Sequence, residues 1–406
     1  MKNQKLALLC LFAFLLNLVA LIAGCSNKEQ TAGTDTEKTA TEETSVEETD
    51  ILALRAQVSD DLPELDFHGA DFRIFYQKRY TTDAVPEYES ETGDILNDAV
   101  YRRNRSVEDR LNVRIVGIVG EEDAMVRTLM NSVAAGDNAY ELFMGHSLYS
   151  GKAALAKCFY NWYDISYVDF SKPWFPQLAI NGLTINGRMF LAVSDMCLSL
   201  VSNVYCMYFN KTIAADYGIP DMYTVVDEGR WTIDTLRELS KNVYEDLNGN
   251  NQKDDGDKFG FTSEITTTSA TWVYACDQKT VEFGEDGSVT SVFNCERTQN
   301  IVEKLKALFY DTPGVIAKDI SFDKADEIFM QGRALFVSSS LGKATGVFRE
   351  LLFDYGILPY PKFDEAQKIH RTIAGGSVSC IAVPVTVDYT DMSGAVTTAL
   401  CRESWV

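Results

Sequence analysis

Between Tyr205 and Phe261 the residue pattern changes period from strand to helix and back, and this limits the possible folds more than any other stretch. Tyr205-Cys206-Met207-Tyr208-Phe209 is an apolar run of strand length, ended by Asn210-Lys211. A short helix closed by Gly218 is expected next. A second helix is expected from Thr232, a good N-cap, with Asp234 in its first turn, where the positive end of the helix dipole favours an acid. Its apolar residues Ile233, Leu236, Leu239 and Val243 recur at steps of three and four, on one face. An Asp/Asn-rich loop then leads into the strand Phe259-Gly260-Phe261.

The same alternation runs through the earlier half. Asp71 to Tyr76 reads as a strand, a polar run follows, and Ile95, Ala99, Val100, Val107 and Leu111 mark a helix ending near Asn112. Val113 to Val119 is a second strand, Glu121 to Ala135 a helix, and Tyr140 to Met144 a third strand. Strands alternating with amphipathic helices imply a mostly parallel sheet, with ligands at the carboxyl ends of its strands. The loops there are Gln77 to Tyr80 and Gly145 to Tyr149. Met189 to Phe209 is expected to cross into a second lobe. Asp354 to Tyr360 is expected to cross back, before a first-lobe strand at Ser379 to Val385.

The amino terminus is of another kind. Lys2 and Lys5 precede an apolar run from Leu6 to Ile22, as in a signal peptide, and Leu21-Ile22-Ala23-Gly24-Cys25 follows. This resembles a bacterial lipobox, in which residues 1–24 are removed and Cys25 carries lipid. Ser26 to Asp50 has almost no large apolar residue, so residues 25–65 are expected to form a disordered acidic tether. The formal charge of −22 argues against nucleic acid or an anionic membrane surface as a direct partner. Seven cysteines remain after Cys10 and Cys25, none with CxxC spacing, and they are expected to be buried as small hydrophobes.

Phe209-Asn210-Lys211, Gly229-Arg230-Trp231-Thr232, Phe329-Met330-Gln331-Gly332-Arg333-Ala334 and Gly356-Ile357-Leu358-Pro359 occur in an order and spacing that resembles the extracellular sugar-binding lipoproteins of bacterial ABC importers, the maltose-binding-like group. Leu96-Asn97-Asp98-Ala99 fits the same series, and the likeness covers nearly all of residues 70–400. It implies an α/β chain with a two-lobed periplasmic-binding-protein-like fold, each lobe a mostly parallel sheet flanked by helices, joined by a hinge. Lobe 1 is then residues 66–203 and 356–406, and lobe 2 residues 204–355, closing about crossings near Asn203 and Tyr355. Group members continue past the equivalent of Trp405, so lobe 2 is expected to be incomplete. The implied function is capture of a small carbohydrate for ABC permease subunits, from a lipid anchor on the extracytoplasmic face of the membrane. A surface glycoside hydrolase, or a binder of peptide or another polar solute, is the alternative.

Signals for catalysis are thin. Three histidines and no HExxH give no histidine-metal site, and Gly342-Lys343-Ala344-Thr345 lacks the first glycine and the hydroxyl residue of a P-loop. Among 59 acids no spacing marks a glycosidase pair. The loop Asp246 to Asp257 is sharper. Asp246, Asn248, Asn250, Asp254 and Asp257 stand at positions 1, 3, 5, 9 and 12 of a calcium loop, and Gln252 offers its carbonyl at position 7. Asn251 replaces the usual glycine and Asp257 the usual glutamate. A structural calcium ion or a solvated turn fits these residues. A sugar needs flat rings beside amides and hydroxyls. The resemblance places Gln77, Arg79, Tyr80, His146, Tyr149, Asn203, Tyr205, Trp272, Ser339 and Ser340 at the cleft. Trp162, Trp174 and Trp231 are expected in cores, which is the alternative for Trp272.

Overall fold

Phe72, Ile74 and Tyr76 turn to one side of an extended segment while Phe75 turns to the other, and all four are buried. A strand covered on both faces sits inside a sheet that carries helices on both sides. The computed structural model describes residues 51–77, 85–121, 124–284 and 286–406. The signal segment, Cys25, Arg79 and Tyr80 lie outside them.

The strands are, in chain order, β1 (Ala70–Gln77), β2 (Val113–Gly120), β3 (Leu142–His146), β4 (Tyr205–Asn210), β5 (Tyr244–Glu245) and β6 (Lys258–Thr262). They continue as β7 (Val281–Phe283), β8 (Val289–Ser291), β9 (Val315–Ile316), β10 (Ala334–Ser340), β11 (Tyr355–Leu358) and β12 (Ser379–Ala382). The first sheet has the order β12-β3-β1-β2. β1 runs parallel to β2 and β3, and β12 closes the edge antiparallel to β3. One face packs Phe72, Ile74, Leu142 and Met144 on Val107 and Leu111 of the helix Ile95–Leu111. The other packs Phe75 and Phe143 on Met125 and Leu129 of the helix Met125–Ala135. Asp94 caps the first helix by accepting from the Leu96 and Asn97 amides, and Asn112 ends it in the left-handed region at φ 48°.

The second sheet runs β11-β4-β10-β6-β5, with β9 on β6. β10 is parallel to β6 and antiparallel to β4, so this sheet is mixed where the sequence implied mostly parallel pairing. Asn210 ends β4 and caps the helix Lys211–Asp216 through its side-chain oxygen, and Thr232 caps the helix Ile233–Ser240, both at positions marked by the sequence. Ile233, Leu236 and Val243 are buried together against Trp231 and Phe336.

Two boundaries differ from the sequence reading. Residues 355–358 form an edge strand of the second sheet, pairing along β4 from Asn210 to Met207. Trp231 Nε1 then donates to the Pro359 carbonyl at 2.8 Å, and Tyr360 is buried in the second core. The return crossing comes later. Val204 bridges Ala374, the Tyr205 amide donates to the Ile373 carbonyl at 3.1 Å, and the Gly375 amide donates to the Asn203 carbonyl at 2.8 Å. The chain beside Asn203 and Val204 is thus Ala374-Gly375, not Tyr355.

Residues 51–65, expected to belong to the tether, are folded. Ile51–Ala56 is a helix, and Val58, Leu62 and Leu65 pack on the first core. Asp60 takes both Arg110 guanidinium nitrogens, at 2.5 and 2.9 Å. The apolar residues that resume at Ile51 are what let this segment dock. The seven described cysteines are free thiols, six buried and Cys295 half-buried, and burial pushes Cys206, Cys276 and Cys380 up to about 12. Among the described residues no helix is long and apolar enough to cross a membrane.

Candidate functional site at the crossing of the two sheets

The carboxyl ends of β1, β3, β6 and β10 and the start of β4 are where the two sheets approach the crossing chains. Parallel register puts Gln77 at the end of β1 and His146 at the end of β3, opposite Ser379 of β12. Gln77 is buried, and among the described residues its Nε2 has no hydrogen-bond partner. His146 is buried and caps the helix Ser147–Leu155, its Nδ1 accepting from the Leu148 amide at 3.2 Å. Its ring leans on Tyr149, centroids 4.8 Å apart, and Tyr149 remains 40% exposed.

The other side of the crossing is built by β4 and β10. Tyr205, at the start of β4, pairs with Ser340 and packs its ring near Phe322. A Cβ on Gly375 would come 3.2 Å from the Tyr205 hydroxyl, so only glycine lets the return chain lie on that ring without displacing it. The Ser340 carbonyl accepts from the Tyr208 hydroxyl at 2.9 Å, which fixes the end of β10.

Two candidates are moved away from ligand. Trp272 is fully buried, ringed by Phe261, Phe309 and Tyr360 with the Tyr360 centroid at 4.8 Å. Thr268, Thr271, Trp272 and Ala275 form the buried face of the helix Ile265–Ala275, so the polar threonines concealed a core face. Ser339 is also fully buried, on the side of β10 opposite to its neighbour Ser340. The expectation of a cleft position fails for both. Trp162, Trp174 and Trp231 are core residues as expected.

The structure adds Glu264 just after β6, while Ser263 before it is fully buried like Ser339. Ser263 Oγ shares a 2.6 Å hydrogen bond with Ser338, and the Glu264 carboxylate accepts from the Thr266 and Thr267 amides at 2.5 and 2.7 Å. Burial pushes the Glu264 carboxyl up, and these amide and hydroxyl donors outweigh it and hold it below the usual range. The signal in the sequence was the polar Thr262-Ser263-Glu264 directly after an apolar strand. Two surface concavities, one at Arg105, Glu108 and Arg114 and one at Phe293, Cys295 and Val302, lie away from these sheet ends.

This architecture has solved counterparts. A cyclo/maltodextrin-binding protein complexed with maltotetraose matches with a TM-score of 0.57 and 16% identity, over 82% of this chain and 74% of that one. The maltose/maltodextrin-binding domain MalE from Bdellovibrio bacteriovorus, bound to maltotriose, matches at 0.52 and 15%, over 82% and 76%. The ABC substrate-binding protein Lmo0181 from Listeria monocytogenes, in complex with cycloalternan, matches at 0.52 and 14%, over 82% and 75%. The chain has the two-lobed fold of these solute-binding proteins. Of the residues expected at a cleft, His146 and Tyr149 stand together at the end of β3, and Tyr205 pairs with Ser340 beside Asn203 at the crossing chains. No protein-family model matches the sequence, and neither does any curated protein.

Proposed function

We propose that this chain is the extracytoplasmic capture protein of an ABC importer, taking a small carbohydrate at the crossing and returning it unchanged. The observation that carries the reading is the placement of an exposed tyrosine ring and unpaired or edge-of-strand polar groups at the crossing of a fold that, in the three matched structures, holds a glycan. The ring supplies a face for sugar C–H groups, and the Gln77 amide supplies a hydrogen-bond donor. A thermal-shift screen of neutral oligosaccharides tests it. A ligand that binds only the folded chain raises the melting midpoint by mass action, and a screen without any stabilising glycan would count against carbohydrate capture.

The placement on a membrane rests on Leu21-Ile22-Ala23-Gly24-Cys25. With Cys25 acylated, the head is held at the outer face by lipid and delivers its ligand to permease subunits there. Cys25→Ala is then expected to abolish detergent-phase partitioning of the expressed protein. A variant that still partitions would argue for an uncleaved membrane segment.

A further inference from the structure

The loop from Asp246 to Asp257 joins β5 to β6 at the end of β6 opposite Thr262, so glycan capture does not use it. The Asp246 carboxylate accepts from the Gly249 and Asn251 amides at 2.8 and 2.9 Å. Asp254 takes the Asn248 and Asn250 side-chain amides at 2.9 and 2.6 Å, with the Gly256 amide at 2.9 Å. Asn251 adopts φ 53°, the left-handed conformation that such loops reserve for glycine. These contacts alone describe a well-formed turn.

Asp257 requires more. It is fully buried, and its Oδ2 accepts from the Tyr244 hydroxyl and the Asp254 amide, each at 3.1 Å. The Asp254 bond turns the carboxylate back onto the loop. Among the described residues its buried Oδ1 has no hydrogen-bond partner. A buried carboxylate oxygen with no donor is costly, and a cation is the partner that would relieve it. A Cβ on Gly256 would come 2.5 Å from Asn248 Nδ2 and 3.0 Å from Asp254 Oδ1, so those side-chain ends would have to shift.

We propose that this loop binds one calcium ion. Asp246, Asn248, Asn250, Asp254 and Asp257 would hold it through side-chain oxygens and Gln252 through its carbonyl. An all-oxygen set with three carboxylates suits a hard dication and offers nothing to zinc or copper. Among the described residues no three His, Cys, Asp or Glu side chains already stand together as a metal cluster. Binding therefore turns the Asn248 and Asn250 amide oxygens, not their NH2 groups, toward the ion. The ion would brace the β5–β6 edge and, through the Arg333 bond to the Asp257 carbonyl, the start of β10.

Calcium added to the chelator-treated full chain is expected to bind one ion per chain in equilibrium dialysis, with a dissociation constant of about 1 mM or tighter. It should also raise the melting midpoint by a few degrees. Terbium should bind in its place and luminesce through Tyr244. Asp246→Ala, in a half-buried position, is expected to remove both binding and the stability response. Asp257→Asn should do the same, and Tyr244→Phe should dim the terbium signal while calcium still binds. Absence of bound calcium in the wild type at about 5 mM free ion, several-fold above the weakest range for such loops, would overturn the proposal. So would an Asp246→Ala variant that binds calcium as the wild type does. None of these readouts involves a glycan, so failure here leaves the capture reading standing, and the reverse.

Discussion

The Tyr360 ring stands edge-on to Trp272, centroids 4.8 Å apart at 63°, and both side chains are fully buried in the second core. Trp272→Ala should therefore act on stability and not selectively on ligand. Removing a fully buried tryptophan costs about 3–5 kcal/mol through lost burial and the cavity left behind. Chemical denaturation should show that loss. A variant of unchanged stability that fails to bind glycan would return Trp272 to the cleft.

Tyr149 is the complementary case. Its exposed ring leans on His146 and supports no core. Tyr149→Ala is expected to leave the unfolding midpoint nearly unchanged and to weaken glycan binding roughly tenfold or more, about 1.4 kcal/mol or above. Titration calorimetry on the two proteins measures the difference, and equal affinities would remove Tyr149 from the site.

Asp60 fastens the segment before the first sheet to Arg110. Burial pushes its carboxyl up, but the Arg110 bonds, the Leu62 amide and the nearby Arg402 charge outweigh it, and the carboxyl titrates below its usual range. A carboxyl whose folded pKa lies below the unfolded value, about 3.9, contributes stability that is complete at neutral pH and lost as pH falls through the folded pKa. Asp60→Asn should thus destabilise the protein by about 1–3 kcal/mol at pH 7, and the gap should narrow below about pH 4. Urea midpoints at pH 7 and pH 3 test this, and a pH-independent gap would contradict it.

What the sequence made legible was mostly local. The end of β4 at Asn210, the cap at Thr232 and the hydrophobic face led by Ile233 and Leu236 follow from side chains that act on their own neighbours in the chain, whereas β3 runs on to His146 where a loop from Gly145 was expected. The errors arose where a distant partner decides. Tyr355, Ile357 and Leu358 suit a crossing chain or an edge strand equally, and only pairing with β4 settles which. Trp272 follows a polar run, but the helical period from Thr268 to Ala275 turns it inward. Ser339 and Ser340 are adjacent and alike, and strand alternation buries one while the other ends the sheet at the crossing. Glu264 was missed because its role depends on which end of β6 meets the crossing.

Calorimetric titration of the full chain with a panel of linear and cyclic neutral oligosaccharides, followed by chromatography of the recovered sugar, tests carbohydrate capture most directly. Capture predicts saturable one-to-one binding of at least one glycan, recovered with its length unchanged. Conversion of that glycan into shorter products, at a rate lost on replacing a single carboxylate, would contradict capture and make the chain a hydrolase.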